Sequence, residues 1–131
     1  HHVLIVDDQP EVLNVLSRLV QSLGYRVTTC SVAADALEEL QSAPGAFDLV
    51  LTDYAMPAMT GLELAERMLG IRSDLPIVLG TGFAGSVDAG IAAAYGLRGF
   101  LMKPYTGRAL GEALQAALAA PPPLHHALRS G

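Results

Sequence analysis

Five short strand-like runs, separated by longer amphipathic segments, constrain the fold of this chain more than any other feature. They cover residues 3–6, 26–30, 49–52, 77–79 and 99–102. The first and fourth runs are continuously aliphatic and the third is aliphatic up to a final threonine, which is typical of strands covered on both faces. Regular alternation of strand and helix predicts parallel strands joined by right-handed helical crossovers. The sequence therefore predicts an α/β fold with a doubly wound, five-stranded parallel sheet and five helices.

The helices are predicted from apolar residues at helical spacing and from their start and stop signals. They run from Pro10 up to Gly24, from Ser31 up to Pro44, over 61–69, from Ser86 through Tyr95, and over 108–119. Ser31 and Ser86 are predicted to cap the second and fourth helices, since a serine hydroxyl can accept a hydrogen bond from an N–H of the first turn.

Polar residues stand directly after four of the strands. They are the pair Asp7 and Asp8, then Asp53, Thr81 and Lys103. In an open parallel sheet, the crevice outside the carboxyl ends of the strands is the usual binding place. All five polar side chains should therefore gather at one edge of the sheet.

The predicted cluster has a chemistry of its own. Three carboxylates repel one another by about 1 kcal/mol per pair at 4 Å in water, and by about 4 kcal/mol at an effective dielectric of 20, so a cation is needed. Mg²⁺ suits one or two carboxylates and a phosphate oxygen. Lys103 adds an ammonium and Thr81 a hydroxyl donor. This set predicts phosphoryl transfer with the Asp53 carboxylate as the nucleophile.

The same residues, together with DLVLTDYAMPAMTG around Asp53 and with Lys103-Pro104, resemble a response-regulator receiver domain of two-component signalling. The resemblance covers residues 3 to about 119. It implies a flavodoxin-like strand order, 2-1-3-4-5, and a histidine kinase or histidine phosphotransfer protein as the donor of the phosphoryl group. It also implies that Mg²⁺ is held by Asp8, Asp53 and the backbone carbonyl of Ala55, with Asp7 acting largely through water.

The resemblance further implies a switch. Aspartyl phosphate formation would draw Thr81 inward and turn Phe100 into the vacated space, which changes the surface of helix 4, strand 5 and helix 5. That surface could also form a homodimer. Phe100 lacks the hydroxyl of a tyrosine, so we hypothesise a bias toward its buried rotamer. Ala55 and Phe83 occupy positions that tune phosphate lifetime in the family, and since neither can position a water, slow self-dephosphorylation is predicted.

Three other functions remain to be weighed. Residues 80–85, GTGFAG, fit the G-x-G-x-x-G dinucleotide pattern, but the next strand ends in Lys103-Pro104 rather than in the acidic residue that would hold a ribose. An aspartyl-phosphate phosphatase would want a second Asp where Ala55 stands. A receiver fold used only for protein binding, without phosphorylation, is the main alternative, and the intact Asp53 and Lys103 argue against it.

Composition excludes several classes of function. A net charge of −5 without any run of Lys or Arg argues against nucleic acid and against an anionic membrane surface as partners. No apolar run approaches the roughly 20 residues that span a bilayer, and a cytoplasmic location is predicted. The single cysteine, Cys30, is interpreted as a small core residue rather than a reactive thiol.

The two ends of the chain are predicted to lie outside the folded domain. Residues 1–120 are assigned to the receiver domain and 121–131 to a proline-rich C-terminal tail. The four histidines, His1, His2, His125 and His126, are interpreted as tag remnants or solvated tails. The chain is interpreted as a receiver cut from a larger protein such as a hybrid histidine kinase, with a single-domain regulator as the alternative.

Overall fold

A computed structural model of the chain describes residues 1–82 and 87–119. Within those ranges five strands alternate with five helices. In chain order the elements are β1 His2–Val6, α1 Pro10–Ser22, β2 Arg26–Cys30, α2 Ala33–Ser42, β3 Leu49–Asp53, α3 Gly61–Ile71, β4 Ile77–Thr81, α4 Ala89–Ala94, β5 Gly99–Met102 and α5 Gly107–Ala119.

The five strands form one sheet in the order β2-β1-β3-β4-β5, and all four neighbouring pairs are parallel. The order changes direction between β1 and β3, because the chain first builds outward from β1 to β2 and then returns to the other side. The predicted fold class and strand order are therefore confirmed. All the carboxyl ends point to the same edge, which is the edge where the polar residues were predicted to meet.

Side chains alternate across the sheet and form two apolar layers, since successive residues of a strand point to opposite faces. Leu4 and Leu79 belong to the layer covered by α2, α3 and α4. Ile5 and Val78 belong to the layer covered by α1 and α5. Burial on both faces explains why β1, β3 and β4 each contain at least three consecutive aliphatic residues.

The helix starts differ from the prediction in two places. The prediction of Ser31 as a cap is wrong, because Val32 is the N-cap residue of α2, in an extended conformation, and no side chain caps that helix. The fourth helix begins at Ala89 rather than just after Ser86, which itself lies outside the described residues. Its cap is Asp88, whose carboxylate accepts a hydrogen bond of 2.8 Å from the backbone N–H of Ile91.

His2 also departs from the prediction, because it is the first residue of β1 and not part of a solvated tail. Its backbone N–H donates to Asp48 Oδ2 at 2.7 Å, and its Nε2 lies 2.7 Å from Thr28 Oγ1. The ring centroid of His2 is 4.8 Å from that of Phe47. The strand extends to His2 because β2 reaches back to Arg26 and pairs with it.

Cys30 lies at the end of β2 and is buried. Burial, followed by the charges of Glu39 and Asp35, raises the pKa of its thiol to about 11. Its interpretation as a core residue is confirmed. Among the described helices, none is both long and apolar enough to cross a bilayer.

Candidate functional site

Three carboxylates meet at the carboxyl ends of β1 and β3. Asp7 and Asp8 directly follow β1, and Asp53 is the last residue of β3. The pairing of Val6 with Thr52 aligns the two strand ends. Each aspartate offers a carboxylate oxygen, and the three oxygens lie within 4.8 Å of one another. The predicted acidic cluster therefore exists as a single group.

Lys103 joins this cluster from the turn after β5. Its Nζ lies 3.0 Å from Asp7 Oδ2 and 3.0 Å from Asp53 Oδ1. Its backbone N–H donates to the carbonyl of Thr81 at 2.8 Å, which ties the turn to the end of β4. The ammonium is therefore shared by two carboxylates that come from different strands.

The cluster contains more negatively charged groups than positively charged ones. Burial raises the pKa of Asp53; the hydrogen bond and charge of Lys103 oppose this, and the charges of Asp7 and Asp8 add to it. Burial lowers the pKa of Lys103, but its hydrogen bonds to Asp53 and Asp7, together with the charges of the same two carboxylates, raise it on balance. One ammonium faces three carboxylates, so a further cation would be favourable there.

The donor set fits a small, hard divalent ion. Mg²⁺ binds oxygen ligands at about 2.1 Å, so two oxygens on opposite sides of one ion are about 4.2 Å apart. The three carboxylate oxygens lie within 4.8 Å of one another, close to this spacing, so the residues present fit such an ion. Ala55 lies exposed two residues after Asp53, in the loop between β3 and α3.

That loop is held tightly behind Asp53. The Gly61 N–H donates to the carbonyl of Tyr54 at 2.8 Å, and the Tyr54 N–H donates to the carbonyl of Gly80 at 2.8 Å. A Cβ on Gly61 would collide with the backbone carbonyl of Asp53 and with the Leu79 side chain. Glycine at position 61 thus allows the loop to close against the strand that carries Asp53.

Thr81 and Phe100 lie on the neighbouring strands, as predicted. Thr81 is the last residue of β4 and is fully buried. Phe100 pairs in register with Leu79 and packs, half-buried, against the layer covered by α2, α3 and α4. The structure therefore places Thr81 and Phe100 on the same face of adjacent strands. The bias of Phe100 toward a buried rotamer stays a prediction.

Sequence reasoning missed Tyr105. Its ring packs against the layer covered by α1 and α5, and burial, together with the charges of Asp7 and Asp53, raises the pKa of its hydroxyl to about 12 despite the opposing charge of Lys103. The only sequence signal was its position two residues after Lys103.

Comparison with known proteins agrees with this geometry. Residues 3–115 match the family model described as the response regulator receiver domain. The chain belongs to this family and is a receiver domain of two-component response regulators. It is 36% identical over 104 residues to the two-component response regulator ORR26 of Oryza sativa, which covers 78% of this chain and 17% of that protein. It is 33% identical over 117 residues to the transcriptional regulatory protein GlrR of Escherichia coli, covering 89% of this chain and 26% of GlrR.

Solved structures show the same fold. A response regulator receiver domain from Clostridium thermocellum has a TM-score of 0.84 at 26% identity, covering 89% of this chain and 93% of that one. The response regulator TrrA from Thermotoga maritima, solved in complex with Mg²⁺ and BeF, has a TM-score of 0.79 at 28% identity, covering 88% and 97%. The matched part of the chain spans less than a fifth of the length of two curated relatives that it resembles, ORR26 of Oryza sativa and ARR11 of Arabidopsis thaliana.

Proposed function

We propose that Asp53 accepts a phosphoryl group from the phosphohistidine of a histidine kinase or a histidine phosphotransfer protein. The observation that carries this proposal is the shared position of Lys103, whose Nζ lies 3.0 Å from both Asp7 and Asp53 at the edge where three carboxylates meet. A nucleophile, a cationic group and a cation-binding cluster are then adjacent, as phosphoryl transfer requires.

Mg²⁺ would be held by Asp7, Asp8, Asp53 and the backbone carbonyl of Ala55, with Asp7 acting largely through water. When bound, it neutralises negative charge on the phosphoryl oxygens. Excess carboxylate in the described site supports this assignment, because it gives the metal a favourable electrostatic environment.

The residues of the chain have distinct roles in the transfer. An Asp53 carboxylate oxygen attacks the phosphorus, the P–N bond to the donor histidine breaks, and the imidazole leaves with the bonding electron pair. Lys103 exchanges its contact with the Asp53 carboxylate for a contact with a phosphoryl oxygen. Its ammonium therefore still faces a negatively charged oxygen after the transfer. The Thr81 hydroxyl donates a hydrogen bond to a second phosphoryl oxygen.

Phosphorylation would change the surface formed by α4, β5 and α5. Thr81 moving toward the phosphoryl group leaves space into which Phe100 turns, since both lie on the same face of adjacent strands. Three exposed apolar residues stand on the nearby surface of α4 and β5, namely Ile91, Tyr95 and Met102. This surface, extended by α5, is our candidate for a partner site or a homodimer interface.

The chain would catalyse no reaction other than its own phosphorylation and slow dephosphorylation. Ala55 offers only a methyl group beside Asp53, so it cannot orient a water for attack on the acyl phosphate. Phe83 lies outside the described residues. Label on Asp53 should therefore decay over minutes or longer in the presence of Mg²⁺, and a half-life of seconds would contradict slow decay.

We also propose that the domain ends near residue 120, that 121–131 form a tail outside the described residues, and that the chain works in the cytoplasm. A parent of the hybrid histidine kinase type is supported by the receiver domain of the hybrid histidine kinase CckA, which has a TM-score of 0.74 at 26% identity and is covered over 99% of its length by this chain.

Labelling with radioactive acetyl phosphate tests the central proposal. The wild-type chain should incorporate label that alkali and hydroxylamine release, as expected of an acyl phosphate, in a Mg²⁺-dependent manner, and Asp53→Asn should incorporate none. Continuous release of phosphate from small phosphate esters would instead indicate a phosphatase. Equal, background labelling of both chains would indicate a binding module that is not phosphorylated.

A further inference from the structure

Tyr105 occupies a space that a missing side chain provides. Gly80 lies in β4, and a Cβ built on it would be 3.4 Å from Tyr105 Cε1 and 3.5 Å from Tyr105 Oη. These are ordinary contact distances, so the ring sits directly over the glycine with no room for more than a methyl group between them. The ring and the glycine therefore fit each other.

Gly80 is also the sheet neighbour of Asp53. The two residues pair in register between β3 and β4, and the carbonyl of Gly80 accepts the hydrogen bond from the N–H of Tyr54. A ring seated on Gly80 is therefore one strand away from the backbone of the reactive aspartate.

The segment 103–105 is attached to β4 at two successive residues. The Lys103 N–H donates to the Thr81 carbonyl, and the Tyr105 ring packs on Gly80. A lysine side chain loses rotamer freedom when it is ordered, so a backbone that is already fixed at the start of its stem leaves fewer groups to be ordered when the ammonium binds. With both attachments in place, the ammonium reaches Asp7 and Asp53 together.

We propose that Tyr105 is a positioning residue, whose ring, seated on Gly80, holds the backbone of Lys103 where its ammonium reaches both carboxylates. The ring acts through Lys103 and does not touch the phosphoryl group itself. The hydroxyl of Tyr105 is not required, because the ring carbon Cε1 comes at least as close to Gly80 as the hydroxyl oxygen does and stays in place without it. The kinetic part of this proposal rests on the proposed function of Asp53.

The ring has space to move away if it is pushed. Tyr105 also borders a mostly apolar groove between α1 and the turn after β5, whose lining comprises four apolar residues of α1, Val12, Val15, Leu16 and Leu19, together with Glu11, Lys103 and Pro104. A side chain larger than alanine at position 80 should therefore displace the ring into this groove rather than unfold the sheet. This gives a second route to the same loss of position, with Tyr105 itself unchanged.

The test compares initial rates of labelling by acetyl phosphate at saturating Mg²⁺. Tyr105→Ala and Gly80→Val should each label at least about tenfold more slowly than wild type, because displacement of a reacting group by about 1 Å is costly. Tyr105→Phe and Gly80→Ala, which keep the ring in place, should stay within about threefold of wild type. Tyr25→Ala is the matched control. Tyr25 packs on the same apolar layer as Tyr105, but it directly precedes β2, the outer strand on the other side of the sheet from β5.

A merely structural role for Tyr105 predicts a different result. The melting temperatures of Tyr105→Ala and Tyr25→Ala would then fall by similar amounts, and both variants would label at the wild-type rate. That result would overturn the proposal. Should Tyr105→Ala fail to fold, Gly80→Val tests the same contact. Labelling of Gly80→Val at the wild-type rate would likewise overturn it.

Crystal structures of the metal-free variants supply a readout that does not depend on phosphorylation. In Tyr105→Ala the Lys103 Nζ should lie beyond about 4 Å from at least one of its two carboxylates, the limit of an ion pair, whereas Tyr105→Phe should keep both contacts. If wild type takes up no label, the proposed function of Asp53 fails while these structures still decide the role of Tyr105. Two intact contacts in Tyr105→Ala would refute that role.

Discussion

Lys103 supplies the positive charge on which the metal-free site depends. Its ammonium is shared by the fully buried Asp7 and by Asp53, and its own side chain is 25% exposed. Removing one member of a buried ion pair leaves the other charges uncompensated, which costs more than the loss of a surface pair.

Lys103→Met should therefore lower the free energy of unfolding in metal-free buffer by about 1 to 3 kcal/mol, part of which Mg²⁺ should restore. Urea unfolding with and without Mg²⁺ measures this. Arg108→Met is the matched control, because it breaks an exposed pair with Glu112 and should cost no more than about 0.5 kcal/mol at either Mg²⁺ concentration. Equal losses in the two variants would contradict this account.

Cys30 gives a prediction for the pH dependence. Its thiol pKa is raised from 9.0 to about 11, so the folded state disfavours the thiolate. The stability associated with this group is fully present below pH 9 and is lost as the pH rises toward 11.

The thiol of the folded chain should react with iodoacetamide at pH 8 about 100-fold more slowly than that of the chain unfolded in guanidinium, since two pKa units reduce the thiolate fraction by that factor. Mass spectrometry follows the reaction. A Cys30→Ala variant should lose less stability than wild type between pH 9 and 11. Similar alkylation rates in the folded and unfolded chains would be inconsistent with a buried thiol.

At the scale of single elements, α3 shows how a helix start supports the site. The Thr60 hydroxyl accepts a hydrogen bond from the Glu63 N–H at 3.2 Å, and the Glu63 carboxylate accepts one from the Thr60 N–H at 3.0 Å. This capping box fixes the start of α3 directly after the loop that follows Asp53.

Thr60→Ala should reduce the free energy of unfolding by about 1 kcal/mol, as loss of an N-cap hydroxyl usually does. Ser31→Ala is the control, because Ser31 stands just before α2 but no side chain caps that helix. Loss of the Ser31 hydroxyl should lower the free energy of unfolding by less than about 0.5 kcal/mol in the same urea titration. If both substitutions cost the same, the cap of α3 is not the source of the difference.

These two helix starts also show which elements the sequence reveals. Strands buried on both faces are predictable, because burial demands an unbroken apolar run such as 3–6. A side chain caps a helix only if its residue is the last one before the backbone becomes helical. Ser31 and Asp88 are both residues that can cap, and the sequence does not show that only Asp88 stands at that position. The start of α4 was therefore misplaced although its existence was predicted.

At the scale of the whole molecule, metal binding should be coupled to folding. The three carboxylates come from two strands that are separated by more than forty residues in the chain, so only the folded state brings them together. A ligand that binds the folded state alone, at 100 times its dissociation constant, stabilises it by about 2.7 kcal/mol.

Saturating Mg²⁺ should thus raise the melting temperature of the wild-type chain, as measured by differential scanning calorimetry. Asp53→Asn should reduce this increase, because it removes one carboxylate from the cluster. Asp35→Asn, which removes an exposed carboxylate of α2, should leave it unchanged. An identical increase in all three proteins would locate the metal elsewhere.

The site as a whole was predictable for a topological reason. Parallel strands end at one edge, so residues that follow strand runs must meet there, and Asp7, Asp8, Asp53 and Lys103 do. Tyr105 escaped prediction, because its contact with Gly80 depends on the path of the turn after β5, for which the sequence carries no periodic signal.

The ion pair between Asp7 and Lys103 spans 96 positions of the chain and joins the turn after the first strand of the domain to the turn after its last strand. During translation this ammonium is therefore absent until nearly all of the domain has been made. The carboxylate cluster acquires its lysine only when β5 has been synthesised, so shorter nascent chains hold an incomplete site.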